Sequence, residues 1–235
     1  MRFLVLVTLI LTSILKADEK YGKLIFQDDF ERTESQEKKD EPGNNWTTSS
    51  EKTAYGSKQV DLRDGHMYIY THKKAWHATS VRHAFKFKNG TMGIKVLFDN
   101  QKDSLKLNFT DLSEKSVHAG HLFNVTISPE SITFEDLKTG VMNLKIKEAR
   151  KVNTLTNEQK RILANKTHCI KNILELGKWH QVYVTIKDDT VTCTVNCKII
   201  GSFKSQGIAH ETKSMIRLLV PRNAHVDEVR IWKIE

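Results

Sequence analysis

Cysteine is scarce: Cys169, Cys193 and Cys197 are the only three in 235 residues. An odd number does not make a disulfide framework. Cys193-x3-Cys197 with no second ligand pair also falls short of a structural zinc site. A single bond between Cys193 and Cys197, which flank a turn, stays open if the chain meets an oxidising compartment. A second long apolar run is lacking too. Phe3 to Leu15 is almost unbroken, but it is too short to span a bilayer, and no later stretch is apolar enough to cross. No cysteine follows it to carry a lipid. Internal repeats and low-complexity segments are absent, so the chain reads as one unit.

The sequence begins with the layout of a secretory signal: basic Met1-Arg2, the apolar run, then polar residues from Lys16. Cleavage after Ala17 is expected, giving a secreted or periplasmic protein with no stable membrane insertion. Removing 17 of 235 residues leaves 218, a normal length for one β-sandwich. Removing Arg2 and Lys16 from the formal charge of +9 leaves +7. The basic residues are dispersed, which, with export, argues against nucleic acid as a partner. A solvated surface or contact with an acidic polysaccharide or envelope surface accounts for the charge. A monomer is expected.

Short alternating segments with turn signals fill most of the chain. Lys23–Phe30, Lys58–Leu62, His66–His72, Ser80–Lys88, Met92–Asp99 and Leu105–Thr110 read as strands, with Arg63-Asp64-Gly65 and Asn89-Gly90 as turns. His121–Ser128 and Ser131–Leu137 form a hairpin around Pro129-Glu130. Lys178–Ile186, Thr190–Thr194, Lys198–Phe203, Met215–Val220 and Val226–Ile234 complete the set. Cys197 in the Asn196-Cys197 turn argues against a type I′ geometry there. The pattern changes between Lys145 and Lys171, where eight Lys/Arg face only Glu148 and Glu158. One short helix is predicted near 154–166, with Thr156 and Gln159 as its capping box. It either packs on an edge or reaches toward a substrate. The whole is an all-β, two-sheet antiparallel sandwich over residues 21–235.

Gly177-Lys-Trp-His-Gln-Val-Tyr-Val-Thr-Ile186, the strand pair reaching Gly201-Ser-Phe203, and Val226-Asp-Glu-Val-Arg-Ile-Trp232 resemble the laminin G-like, concanavalin A-type jelly roll. Phe26-Gln-Asp-Asp-Phe30 followed by Trp46 fits the same class. Within it the chain is similar to the secreted 3-keto-disaccharide hydrolase domain. That resemblance implies a carbohydrate partner and a concave sugar-binding face. In active relatives it implies cleavage of a C3-oxidised glycoside by removal of the C2 proton and loss of the glycosidic oxygen. The alternatives are a non-catalytic carbohydrate-binding or envelope-interaction module and a structural surface protein. Family-sixteen glycoside hydrolases share the jelly roll and use paired carboxylates, carried as Glu-x-Asp-x-Glu. That motif is absent here, which sets their mechanism aside.

The densest chemistry lies between Leu105 and Leu137. His83 shares a face with Val81, Phe85 and Phe87, and His121 shares one with Phe123, Val125 and Ile127, by alternation. Each is either a core histidine or a groove base. His83, His121 and Arg82 are the catalytic candidates. Trp76, His77, Asn108 and Arg222 are the candidates for substrate binding, with Asn108 and Asn124 facing outward. His118-x-x-His121 offers two imidazoles for a divalent calcium, zinc or manganese ion, though across a turn rather than a helix. Gly120 between them permits a close backbone approach. Convergence of His77, Arg82, His83, His118 and His121 in one groove with a carboxylate would favour an enzyme or a metal site, and a flat aromatic platform with scattered histidines would favour binding.

Overall fold

The computed structural model describes residues 20–235, so the predicted signal at residues 1–17 lies outside the described residues. Two antiparallel sheets stack as a jelly-roll sandwich. In chain order the strands are β1 (Lys23–Asp28), β2 (Thr47–Thr48), β3 (Val60–Arg63), β4 (His66–Tyr70), β5 (Thr79–Phe87), β6 (Asn89–Leu97), β7 (Leu105–Thr110), β8 (His121–Ile127), β9 (Ser131–Asp136), β10 (Thr167–Lys171), β11 (His180–Lys187), β12 (Thr190–Val195), β13 (Lys198–Lys204), β14 (Lys213–Val220) and β15 (Asn223–Ile234). One sheet runs β13-β12-β11-β6-β15-β4-β3, with β1 also paired to β15. The other runs β10-β9-β8-β7-β14-β5-β2.

Alternation builds the core between them. Ile94, Val96, Val182, Val184 and Val226 point inward from the first sheet, and Leu107, Phe109, Phe123, Phe134 and Leu218 from the second. Phe109 and Phe123, opposite each other on β7 and β8, stack with ring centroids 4.7 Å apart.

Several expectations need correction. Asn89-Gly90 is not a hairpin turn. The chain leaves the seven-stranded sheet after β5 and enters the eight-stranded sheet directly as β6. Gly90 is needed because a Cβ there would collide with the Trp232 carbonyl and the Phe87 ring. Asn196 and Cys197 both take positive φ (47° and 67°) between paired Val195 and Lys198, which is the signature of a type I′ turn. All three cysteines are free thiols. The basic excursion holds two helices, α2 (Leu144–Lys151) and α3 (Asn157–Ala164), following the short α1 (Ser50–Thr53). The Thr156–Gln159 capping box forms at α3. β10 then adds to the edge of the sheet at β9.

Candidate active site

The strands of the seven-stranded sheet set one register row of polar residues on its outer face. Thr47 lies opposite Arg82, Arg82 opposite Arg217, Arg217 opposite Asn108, Asn108 opposite Asn124, Asn124 opposite Glu135 and Glu135 opposite Thr167. Side chains facing each other across neighbouring strands are close enough to interact, and here they do so in sequence. Asn108 Nδ2 donates to Asn124 Oδ1 at 2.7 Å, and Asn124 Nδ2 donates to Glu135 Oε2 at 3.0 Å. Lys106 Nζ reaches the same carboxylate at 3.5 Å. Asn108 is fully buried and Asn124 nearly so, beneath the longer side chains around them.

His121 joins this row through a β-bulge. The register slips between Phe109 and Thr110, so Phe109 faces Phe123 while Thr110 faces His121. Leu122 becomes the extra residue, and His121 turns away from the Phe123 and Val125 face that simple alternation assigns to it. Its Nδ1 lies 2.8 Å from Asn108 Oδ1. Because Asn108 already donates its amide to Asn124, its oxygen accepts from His121, so the proton sits on Nδ1 and the lone pair on Nε2. The Glu135 carboxylate, acceptor only, sets the direction of the whole relay. Nε2 faces Arg217 Nη1 at 3.4 Å. Burial, reinforced by the charges of Arg217, His118, His77 and Lys106, pushes the His121 pKa down to about 4. The imidazole is therefore neutral at neutral pH.

The turn before β8 completes this side of the site. His118–Gly120 forms a short 3-10 turn in which Ala119 (φ 50°) and Gly120 (φ 71°) are left-handed. The Ala119 carbonyl thereby accepts from Arg217 Nη2 at 2.9 Å. A Cβ on Gly120 would strike the Asp111 carbonyl, so the expected close approach is present.

Of the predicted site residues, Arg82, His77, His118, His121 and Asn108 come together on this face. Arg82 pairs in register with Arg217 and depresses its pKa, second to burial, to about 10. His77 and His118 lie within electrostatic reach of His121. Trp76, 60 % exposed, packs edge-on against His77 with centroids 5.9 Å apart. His83 does not join them. It points through β5 into the core, 7 % exposed, stacked on Phe26 at 3.6 Å between centroids and tilted against Trp46 at 5.1 Å. The sheet separates it from His121. Arg222 sits in the turn between β14 and β15, its Nε 3.7 Å from Asp103.

The metal expectation does not fit. His118 and His121 have ring centroids 6.2 Å apart, but no third His, Cys, Asp or Glu is placed with them to hold an ion among the described residues. One nitrogen of His121 is engaged by Asn108 and the other faces a guanidinium, which repels a cation. Sequence reasoning left Glu135 out of the site and weighed Arg217 only beside Arg222, as one of two arginines at a strand end that could reach a ligand oxygen, preferring a solvated surface for each. Arg217 and Glu135 share parity with Asn108 along their strands, and that is the signal that would have found them.

No protein-family model and no curated protein matches the chain. Solved structures do. A Bacillus licheniformis beta-glucanase superposes with a TM-score of 0.59 at 10 % identity, over 91 % of this chain and 99 % of that one. The carbohydrate binding module CBM66 from Bacillus subtilis gives 0.51 at 8 %, over 79 % and 93 %. A sialidase gives 0.52 at 11 % over 81 % of this chain, which spans only 17 % of that protein's length. These likenesses are of fold.

Proposed function

We propose that this chain is an exported carbohydrate-active jelly roll that holds sugar on the outer face of its seven-stranded sheet and cleaves 3-keto-glycosides there. One observation carries the reading: the one-way relay from His121 through Asn108 and Asn124 to Glu135, which leaves Nε2 unprotonated beside Arg217. Fold neighbours that are glucanases and carbohydrate-binding modules lend support. His121 Nε2 takes the C2 proton of a sugar oxidised at C3. The electron pair moves to the C3 oxygen as an enolate, stabilised by the Arg217 guanidinium. Collapse of the enolate expels the glycosidic oxygen from C1, which recovers the proton from the imidazolium. Water adding across the resulting C1=C2 bond releases the free 3-keto sugar. Asn108 and Asn124 act as positioning residues by fixing the His121 tautomer.

A binding-only role is the second reading, favoured by exposed Trp76 beside His77, an aromatic face on which a sugar ring can stack. The test is incubation with a 3-keto-glucoside and its unoxidised parent, with and without chelator. Turnover of the keto sugar alone, insensitive to chelator and reduced roughly 100-fold or more in His121→Asn, supports the enzyme. Retained glycan binding with no turnover would leave the binding module, and turnover unchanged in His121→Asn would remove His121 as the base.

A further inference from the structure

Arg82 and Arg217 are directly opposed on β5 and β14, and neither has an acid partner among the described residues. Arg82 Nε donates to Ser80 Oγ at 3.0 Å, while its two terminal nitrogens make no hydrogen bond among the described residues. Among the described residues Arg217 reaches only the Ala119 carbonyl and the His121 ring, and its buried Nε has no partner. Both guanidiniums are partly buried, and burial depresses the pKa of each. The nearest carboxylate in the row is Glu135. It is three strands from Arg217, about 14 Å at the usual strand spacing, and is already held by Asn124 and Lys106. Like charges directly opposite on neighbouring strands destabilise a sheet, and half-desolvated charges without a counter-ion cost more. The enolate of the proposed reaction is too fleeting to offset a resting imbalance.

We infer that the Arg82–Arg217 pair is a subsite for a fixed anionic substituent on the sugar, a uronate carboxylate or a sulfate ester. The inference rests on the reading that this face binds carbohydrate. Arginine suits the role because its planar fork matches two oxygens of one anion. The row's one carboxylate, Glu135 on β9, is already held by Lys106 and Asn124, so an anion is drawn to the arginine end.

The test is calorimetric titration of the protein with four oligosaccharides: an oligogalacturonate, its methyl ester, a sulfated galactan oligomer and its desulfated form. Binding of the galacturonate or the sulfated oligomer at least tenfold tighter than its uncharged counterpart supports the subsite, and which of the two wins identifies the source of the charge. Arg82→Gln should lose that preference while raising the thermal midpoint of the empty protein, because it removes an uncompensated charge. A merely structural arginine would lower the midpoint. Equal binding of charged and uncharged forms overturns the subsite and leaves the carbohydrate reading standing. No binding by any of the four overturns the subsite, and the 3-keto-glucoside assay decides the carbohydrate reading separately. An unchanged preference in Arg82→Gln and in Arg217→Gln, both folded by near-ultraviolet dichroism, also overturns it.

Discussion

At the residue scale, the Asn108 amide decides the state of His121. An amide oxygen accepts the Nδ1 proton but offers no charge to hold a second one, so burial and the nearby cations keep the imidazole neutral. Replacing it with a carboxylate reverses that balance. Asn108→Asp should raise the His121 pKa from about 4 by roughly one unit or more, read from the imidazole Cε1 proton shift during an NMR titration. An unmoved resonance would mean that the relay does not control the ring. Asp136 is the contrasting case, a carboxylate from the same sequence stretch with a structural task. It accepts from Thr139 N and Oγ1, Lys166 Nζ, Ser205 Oγ and Gly207 N. Burial pushes its pKa up, but those hydrogen bonds outweigh burial and hold it below the usual range. It ties the end of β9 to the chain after α3 and to the loop before β14. Asp136→Asn turns one acceptor into a donor among donors and takes away the carboxylate that pairs with Lys166, leaving its ammonium only the Ser205 hydroxyl. A loss of about 2–4 kcal/mol is expected in urea unfolding.

At the element scale, turns and bulges carry the features that alternation alone does not read. The β12–β13 hairpin closes as type I′ although one central position is cysteine, a residue that pays for a left-handed backbone where glycine does not. Cys197→Gly should stabilise the protein by about 1 kcal/mol, seen as a higher urea midpoint at unchanged slope; a lower midpoint would point to an unrecognised role for the thiol. The three-strand run β7 to β9 was legible because its apolar residues alternate cleanly, and the capping box announced α3. α2 was missed because its cap is Asn143, with no Glu or Gln three residues on to mark it. β10 was missed because its pattern is exposed on almost every residue. The site was half legible. Arg82, His118, His121 and Asn108 were singled out by residue type, and alternation placed Asn108 outward, but the face of His121 depended on the bulge at Thr110. That bulge moved His121 outward and left His83 alone inside.

At the scale of the whole molecule, the ionisable groups set a pH dependence whose sign follows from the fold. The folded pKa of His121, about 4, lies below the usual value near 6.5. The unfolded chain therefore takes up this proton first. That contribution to stability is complete above about pH 6.5 and drains away as pH falls toward 4. At about 1.4 kcal/mol per unit the loss is on the order of 3 kcal/mol. Asp111 and Glu114 follow. Burial raises the Asp111 pKa, but bonds from the Ser113 amide, His210 and Ser214 bring it to about 2. The Ser116 amide and hydroxyl, then Lys138, bring Glu114 to about 2 as well. Their stabilisation is present above the usual carboxylate range and is lost as pH drops through the folded values. Lys213 works at the other end. Fully buried, with Nζ donating to the Lys88 and His210 carbonyls, its pKa is pushed down to about 8 by burial. The folded state releases that proton before the unfolded state does, so stability rises as pH climbs from about 8 toward the ordinary lysine value near 10.4. Urea midpoints measured from about pH 8, below the Lys213 window, down to about pH 3 should therefore fall in two overlapping stages, one below about pH 6.5 and one below about pH 4.5. His121→Asn should flatten the first stage alone, because it removes the one ring whose neutrality this fold enforces so strongly, and leaves the Asp111 and Glu114 networks intact. A variant that keeps the first stage would assign it to another histidine, His83 and His66 being the alternatives, since burial lowers both their pKa values too.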